Sequence, residues 1–267
     1  MSLNIIVTAK QVLDPEIPAS AFKVDRQARR VVTPANVPPV VNGFDEYAVE
    51  AALRLKDAHG GKVTVLAMGQ SFVMNVVKKP LSMGADELVL LQDEGFANTP
   101  DSFFTAHVLA AAIRKLGPFD LIICGRQASD WDNAQVPLGV AEILGLPCVT
   151  IAQKVEVAEG RVRVQRVIPD GYEEVEAPLP ALVTVSNELG QPRYPTVRGI
   201  MAANRKAPVV WKAQDLGLDL SRLQPTIELR DLLVPESNRG QCELIAGDDD
   251  VDAGRKLALK LREAKLI

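Results

Sequence analysis

FDLIICGRQASDWDNAQVPLGVAEIL, residues 119–144, is the stretch of sequence that decides the fold. Its first part, 119–124, is an apolar run typical of a buried strand, and 134–144 predicts a helix. Gly125 lies between them, where a glycine lets the chain turn and lets backbone N–H groups come close to a ligand. A buried strand that leads through a glycine loop into a helix is the repeating unit of an α/β sheet.

The same unit recurs along the first 150 residues, where strand and helix patterns alternate. This alternation predicts parallel strands joined by right-handed crossovers, and therefore a doubly wound, mostly parallel, Rossmann-like α/β sheet. Residues 22–33 break the alternation and predict a polar hairpin. The other predicted strands are 3–9, 62–67 and 87–91, and the other predicted helices are 44–58, 71–82 and 101–116.

The second part of the chain has a different pattern. Residues 148–186 alternate with period two and predict added antiparallel strands. Two prolines and a glycine make 187–198 irregular, and a short basic helix is expected after them. We therefore predict three regions, an α/β domain at 1–190, an irregular loop with a short helix at 191–206, and an extended C-terminal arm at 207–267. That arm, with a final helix over 250–264, lacks the apolar density of a separate core and is expected to pack on another chain.

Composition excludes several function classes. The 267 residues carry a formal net charge of −4 and only 4% aromatic residues, which disfavours nucleic-acid binding. No apolar run approaches the roughly 18 residues of a membrane span, and no signal peptide is recognisable, so the protein is expected in the cytoplasm and not in the membrane. Three cysteines and two histidines leave few members for a catalytic triad or a metal site, so no catalytic residue and no metal ligand is predicted.

Ligands of an open parallel sheet bind beyond the carboxyl ends of its strands. Three loops follow predicted strands there, 8–11, 68–71 and 125–133. In the last loop, Arg126 offers a charge-assisted contact and the helix that begins near residue 134 offers its positive end, which suits a phosphate. Lys10 stands where an ammonium group could meet a phosphate or a flavin carbonyl.

Each of these features also has a purely structural explanation. Ser129, Asp130, Asp132 and Asn133 are residue types that form turns and helix caps, and Asp130 or Asp132 could equally accept a hydrogen bond from a ribose. The run 42–45 combines a turn with a helix start, and Lys10 could be a solvated lysine. Neither GxGxxG nor GxxxxGK[ST] occurs at these loops, which disfavours an ordinary Rossmann dinucleotide-binding site and a P-loop.

At these loops the sequence resembles the β subunit of electron-transfer flavoproteins, the family that includes FixA. Five segments carry the resemblance, and they span residues 5–206. They are IIVTAKQV from residue 5, VNGFDEYAVEAALRLKD at 41–57, SMGADELVLL at 82–91, ICGRQASDWDNAQVP at 123–137 and NELGQPRYPTVRGIMAANRK at 187–206.

The resemblance implies a heterodimer with an α subunit, a redox-active FAD shared with that subunit, and a second nucleotide in the β subunit's own domain. This second nucleotide is AMP in simple electron carriers, and a second FAD in electron-bifurcating members that oxidise NADH. Residues 132–136, DNAQV, look more like the bifurcating pattern. Trp131, however, replaces the small residue expected beside the second FAD of that branch, and Pro15 replaces the aromatic residue that simple carriers tend to have near the FAD of the α subunit. The implied nucleotide-binding residues are Thr8, Ala9, Lys10, Asn42, Gly43, Phe44, Asp45, Met68, Gly125, Arg126, Gln127, Ala128, Ser129, Asp130, Trp131, Asp132, Asn133, Ala134, Gln135, Val136 and Pro137.

The resemblance also implies a partner-binding segment at 191–201, which docks on an acyl-CoA-type dehydrogenase. Val197 occupies the position of the family's apolar anchor, although a proline turn with Val197 packed inward is the structural alternative. The chemistry would come from the flavin, with Lys10 or Arg126 stabilising its reduced anionic form. A stand-alone AMP- or ATP-binding regulatory module is the alternative from another class. The implied partner-binding residues are Arg193, Tyr194, Pro195, Thr196, Val197, Ile200 and Met201.

Overall fold

The computed structural model of the chain describes residues 2–18, 20–32, 34, 37–96, 100–223, 226–234 and 242–267. Its contacts divide the chain into two units, Met1–Leu232 and Leu233–Ile267. The strands in chain order are β1 (Leu3–Thr8), β2 (Gln11–Val12), β3 (Lys23–Asp25), β4 (Arg30–Val32), β5 (Val40–Val41), β6 (Gly61–Gly69), β7 (Glu87–Gln92), β8 (Leu121–Gly125), β9 (Cys148–Ala158), β10 (Arg161–Ile168), β11 (Gly171–Pro178), β12 (Ala181–Val185) and β13 (Val209–Trp211). The helices are α1 (Gly43–His59), α2 (Met74–Val77), α3 (Lys79–Met83), α4 (Ser102–Leu116), α5 (Val136–Leu144), α6 (Val197–Arg205) and α7 (Asp250–Glu263).

A nine-stranded sheet in the order β11-β10-β9-β12-β8-β1-β6-β7-β13 forms the first unit. The seven strands β9-β12-β8-β1-β6-β7-β13 are all parallel to their neighbours in this order. β10 pairs antiparallel with both β9 and β11. The predicted α/β class, with a mostly parallel sheet and added antiparallel strands, is therefore confirmed. The 23–32 hairpin is confirmed as well, because β3 and β4 pair antiparallel.

Helices cover both faces of the sheet because its central strands are apolar on both sides. One core packs α1 and α3 against side chains such as Leu3, Ile5 and Val65, and the other packs α4 and α5 against Ile6, Leu66 and others. The helix predicted over 71–82 is divided into α2 and α3 at Lys78, with Pro80 in the first turn of α3. The chain thus leaves β1 toward β6 and later returns to the other side of β1 as β8, and this reversal creates a topological switch point.

Two predictions about the later strands need correction. The run ALVTVS was expected to be antiparallel, but β12 is a fully buried strand that runs parallel to both β8 and β9. The stretch after residue 206 was expected to form a separate arm. Instead, β13 adds a parallel edge strand to β7, and Trp211, Leu216 and Leu220 pack against the second core, so the division of the chain falls after residue 232.

The second unit contains α7, whose N-cap Asp249 accepts a hydrogen bond from the Asp252 backbone N–H. Several of its apolar side chains, among them Val251, Leu257 and Leu259, are exposed. No helix within the described ranges is both long and apolar enough to cross a membrane.

Candidate functional site

A cleft of about 670 Å³ lies at the carboxyl ends of β1, β6 and β8. This is the edge at which the sheet has its switch point, and the volume lies within the range of about 300–1,000 Å³ of small-molecule sites. Sixteen of the predicted nucleotide-binding residues line this cleft. They are Thr8, Ala9, Lys10, Asn42, Asp45, Met68, Gly125, Gln127, Ala128, Asp130, Trp131, Asn133, Ala134, Gln135, Val136 and Pro137.

Asn42 joins two walls of the cleft. It stands at the N-cap position of α1, but its side chain makes no capping hydrogen bond there. Its amide is fully buried and instead donates from Nδ2 to the Gln127 carbonyl at 2.8 Å and accepts at Oδ1 from the Ser129 N–H at 3.2 Å. Its backbone N–H donates to the Lys10 carbonyl at 2.8 Å. Asn42 therefore fixes the loops after β1 and β8 relative to each other.

Asp45 is a second buried junction. Its carboxylate accepts a hydrogen bond from the Lys10 backbone N–H at 2.7 Å. Burial raises the pKa of Asp45 to about 7, against the opposing effect of hydrogen bonds to the carboxylate. A side chain at Gly125 would overlap with this carboxylate and lie 2.7 Å from the Phe44 carbonyl carbon, so glycine is required there by close approach.

Lys10 and Asp130 face each other across the cleft. The Lys10 Nζ lies 2.7 Å from Asp130 Oδ2. Lys10 is therefore not a freely solvated lysine, and its charge is balanced by a carboxylate from the loop after β8. The pair presents one ammonium and one carboxylate to the cleft, a donor and an acceptor for a polar ligand.

The loop that leads into α5 brings backbone N–H groups to the cleft. Asp132 and Ala134 have φ angles of 51° and 53°, and Gln135, at the N-cap position of α5, is in the right-handed helical region. A left-handed residue next to a right-handed one, as at Ala134 and Gln135, can turn neighbouring N–H groups to one side as in a concave anion site, whereas the Asp132 N–H donates to the Ala128 carbonyl at 2.9 Å. No side chain caps α5, so its first N–H groups and its positive end also point to this place.

Five predicted residues do not line the cleft: Gly43, Phe44, Arg126, Ser129 and Asp132. The Arg126 guanidinium lies 5.3 Å from the centre of the Phe44 ring and donates to Gln127 Oε1 at 3.1 Å. Asp132 accepts from Gln127 Nε2 at 2.7 Å and does not cap α5. Ser129 Oγ is buried and is the one such side-chain atom in the described part of the chain without a hydrogen-bond partner.

The structure adds cleft residues that sequence reasoning missed. Arg29 and Arg30 reach the cleft from the β3–β4 hairpin, Ser102 reaches it from the start of α4, and Leu232 from the end of the first unit. Gln11 lines it too, where its Oε1 accepts from the Val73 N–H at 2.8 Å. The two arginines on a predicted polar hairpin were the one available signal, because a basic turn beside a phosphate site is a candidate for anion contact.

A strap, residues 226–232, runs beside the cleft. The Thr226 backbone N–H donates to Asp101 at the start of α4 at 2.6 Å. At its other end, Asp231 accepts from Arg26 Nε at 2.8 Å, and the Leu229 carbonyl accepts from Arg29 at 2.6 Å. The strap thus connects α4 with the β3–β4 hairpin, two elements whose residues line the cleft.

A second cleft, of about 750 Å³, lies between α1 and strands β9–β11. Although it is larger, none of the predicted site residues lines it. Its charged residues include Arg163 and Glu176, which pair with each other at 2.6 Å. We assign the site to the smaller cleft because the strand ends and the helix N-terminus meet there.

The predicted partner-binding segment, 191–201, lies away from the cleft. Tyr194 and Val197 expose 88% and 74% of their surface, and Ile200 and Met201 are exposed beside them. Val197 is therefore not packed inward, and Thr196 caps α6 by accepting from the Gly199 N–H at 3.0 Å. Arg193 instead turns inward and binds Glu50. Within the described ranges, no three His, Cys, Asp or Glu side chains are grouped so as to hold a metal ion.

The fold and the cleft define a doubly wound α/β protein with a cleft at its switch point, and comparison with known proteins specifies the family. The model of the electron transfer flavoprotein domain matches residues 30–216. The chain is 40% identical over 222 residues to the electron transfer flavoprotein subunit beta of Thermoanaerobacterium thermosaccharolyticum, which covers 83% of each chain. The Megasphaera elsdenii subunit beta is 37% identical and covers 94% of both chains.

A further relative matches almost end to end. The caffeyl-CoA reductase-Etf complex subunit CarD of Acetobacterium woodii is 36% identical over 270 residues, covering 99% of this chain and 100% of its own. The chain therefore belongs to the electron transfer flavoprotein β-subunit family, and its role is in electron transfer.

Proposed function

We propose that the cleft at β1, β6 and β8 binds an adenine nucleotide, either AMP or the AMP part of a second FAD. The observation that carries this proposal is the convergence, in one cleft of about 670 Å³, of the α5 N-terminus and the loop with positive φ at Asp132 and Ala134. Both features supply N–H groups for a phosphate. Loops that follow three separate strands, each predicted from the sequence as a ligand site, line this cleft.

The residues present fit such a nucleotide. Ala9, Met68 and Val136 give the apolar walls that an adenine ring needs, and Asp130 can accept from ribose hydroxyls. Buried Asn42 and Asp45 use their polar atoms on the loops themselves, so their contribution is to hold the loops in place rather than to contact the ligand with free groups.

We propose further that the chain forms a heterodimer with an electron-transfer flavoprotein α subunit and shares a redox-active FAD with it. That FAD, when bound, accepts and passes on electrons. No side chain of this chain needs to act as nucleophile, acid or base, so its task is to bind, orient and exclude water. The exposed leucines of α7 fit contact with the α subunit, and we expect the protein in the cytoplasm.

The segment 191–201 is the proposed docking site for an acyl-CoA-type dehydrogenase. An exposed apolar cluster of Tyr194, Val197, Ile200 and Met201 is typical of a small protein-binding surface with one anchor. The name of the Acetobacterium woodii relative, a subunit of a caffeyl-CoA reductase-Etf complex, supports a CoA-ester flavoenzyme as the partner class.

A second candidate function is electron bifurcation, with a complete second FAD in the cleft and NADH as the electron donor. The observation that favours it is the extent of the cleft, which continues from the nucleotide loops to Phe22, Arg29 and Arg30 on and beside the β3–β4 hairpin. An aromatic side chain and two cations beyond the AMP-type site suit a ligand longer than AMP.

Co-expression with the α subunit tests the proposal. We expect a yellow heterodimer that contains bound FAD. Purification of a colourless homodimer with AMP or ATP alone would contradict the electron-carrier function and favour the regulatory module instead.

A further inference from the structure

A buried carboxylate beneath the segment 191–201 accepts hydrogen bonds from two arginines. Glu50 lies on α1 and exposes only 4% of its surface. Its Oε2 accepts from Arg193 Nε at 2.8 Å and from the Arg193 backbone N–H at 3.1 Å, and its Oε1 accepts from Arg54 Nε at 2.8 Å. Burial favours the protonated acid, but the hydrogen bonds from Arg193 and Arg54 outweigh it and hold the pKa of Glu50 below its usual value.

The same arginines extend this connection along the chain. Arg54 Nη1 donates to the Leu189 carbonyl at 3.0 Å, and Arg193 Nη2 reaches Asp57 at 2.9 Å. Residues 189–193 are therefore attached to α1 by both side-chain and backbone hydrogen bonds. Charge-assisted bonds of this kind are roughly twice as strong as neutral ones.

The helix that follows is held from behind as well. A side chain at Gly199 would overlap with the Ser82 carbonyl, so α6 rests directly on the backbone of α3. Lys78 Nζ donates to the Asn204 carbonyl at 3.2 Å near the other end of α6. With both ends fixed, Val197 and Met201 point into solvent although they are apolar.

We infer that Glu50 is a positioning residue for partner docking, which holds the segment 191–201 through Arg193 in the conformation that the dehydrogenase binds. The inference rests on the proposed function of this segment. It also changes the role of Arg193, which the family resemblance places among the partner contacts but which here ties the segment to α1. Glu50 is too deeply buried to touch a partner.

The expected effect follows from population arithmetic. A surface that is ordered before binding does not lose conformational entropy on docking. When only a fraction of molecules has the competent conformation, the apparent dissociation constant rises by the inverse of that fraction. If E50Q leaves the segment competent for about a tenth of the time, the apparent affinity falls about tenfold.

The test compares E50Q with E46Q in the co-expressed heterodimer. E46Q is the matched control because Glu46 is also on α1 and also forms an ion pair, but with Lys79 on α3 at 2.5 Å and not with a residue of the segment. Amide hydrogen exchange of residues 191–201 is measured on the heterodimer without the dehydrogenase. Steady-state reduction is measured with a short-chain acyl-CoA dehydrogenase supplied with butyryl-CoA.

We expect exchange in the segment to be about tenfold faster in E50Q and unchanged in E46Q. The KM for the dehydrogenase should rise about tenfold with kcat within about twofold, and flavin content should not change. If E50Q fails to fold, R193Q answers the same question, because it leaves Glu50 paired with Arg54. If amide exchange in E50Q, or in R193Q where E50Q does not fold, equals that of the wild type, the inference is overturned. A fall in kcat at constant KM would overturn it as well. A wild-type heterodimer that the dehydrogenase cannot reduce would count against the proposed partner class, whereas the exchange result would still decide the role of Glu50.

Discussion

In both the cleft and the segment 191–201, buried hydrogen-bonded side chains hold the backbone in place, but the groups left exposed differ. In the cleft, buried polar side chains such as Asn42 and Asp45 hold the backbone of the loops that line it. At the segment, buried Glu50 holds the backbone so that apolar side chains face solvent. In both places a buried, hydrogen-bonded side chain determines the shape, and a different set of groups makes the contact.

This difference teaches which substitutions should affect which function. Changes beneath the cleft should alter nucleotide retention, and changes beneath the segment should alter partner affinity. Little effect of one on the other is expected because Asp45 and Glu50, although both on α1, hold different parts of the chain, at Lys10 and at Arg193. The following predictions test this separation in order of decreasing effect.

The largest effect is expected at the exposed anchor. V197D should raise the KM for the acyl-CoA dehydrogenase at least about 30-fold, because a charge replaces the apolar group expected at the centre of the interface. Nucleotide content should stay at the wild-type value. Y172D, a change at another exposed apolar residue on β11, is the control and should leave KM unchanged. Equal losses in the two variants would show that exposed apolar surface in general, and not this segment, binds the partner.

The next effect is expected at the close approach beneath the cleft. G125A should destabilise the protein by about 1–3 kcal/mol and lower nucleotide content, because its Cβ overlaps with Asp45 and Phe44. G254A is the control, since nothing lies within 4 Å of a Cβ there and Gly254, on α7, does not line the cleft. For each variant, urea unfolding measures the stability and a nucleotide assay measures the nucleotide content. A stable G125A variant with full nucleotide content would refute the packing argument.

Asp45 predicts a pH dependence of stability. Its pKa of about 7 in the folded protein exceeds the ordinary value of 3.8, so the folded state binds more protons between these values. The stabilisation from Asp45 is therefore complete below about pH 4 and is lost as the pH rises through 7, by up to about 1.4 kcal/mol per pH unit. Urea unfolding between pH 5 and 8 should show this decline in the wild type and a weaker one in D45N. Identical slopes would mean that Asp45 is ionised throughout.

The smallest effect is expected at the strap, residues 226–232. Arg26 and Asp231 are both exposed, so R26A should leave the free energy of unfolding nearly unchanged. Because the pair connects the strap to the hairpin beside the cleft, nucleotide release should become about twofold to fivefold faster. R222A, which removes another exposed pair within the first unit, is the control. Equal release rates in the two variants would show that the strap does not affect the cleft.

Much of the fold and of the cleft could be predicted because the determining signals are local. An apolar strand followed by a glycine loop and a helix is visible in the run 119–144, and the rule that ligands bind at carboxyl ends of parallel strands then selects the loops at 8–11, 68–71 and 125–133. The alternation of strand and helix likewise gave the doubly wound sheet without any tertiary information.

The remaining features depend on contacts between distant residues. β12 is a short apolar run whose direction is set by the space between β8 and β9, and β13 is only three residues long and is a strand because β7 lies beside it. Asn42 has the sequence position of a helix cap, yet its side chain binds a loop 85 residues away. Arg126 follows a strand end but turns to Phe44, whereas Arg29 on a hairpin reaches the cleft.

We propose that this chain holds an adenine nucleotide of its own besides an FAD that it would share with an α subunit. The most direct test is acid release and quantitation of FAD and AMP from the purified heterodimer. We predict two adenine nucleotides per heterodimer, either one FAD with one AMP for a simple carrier or two FAD for a bifurcating one. A heterodimer that contains one FAD and no second adenine nucleotide would contradict the account.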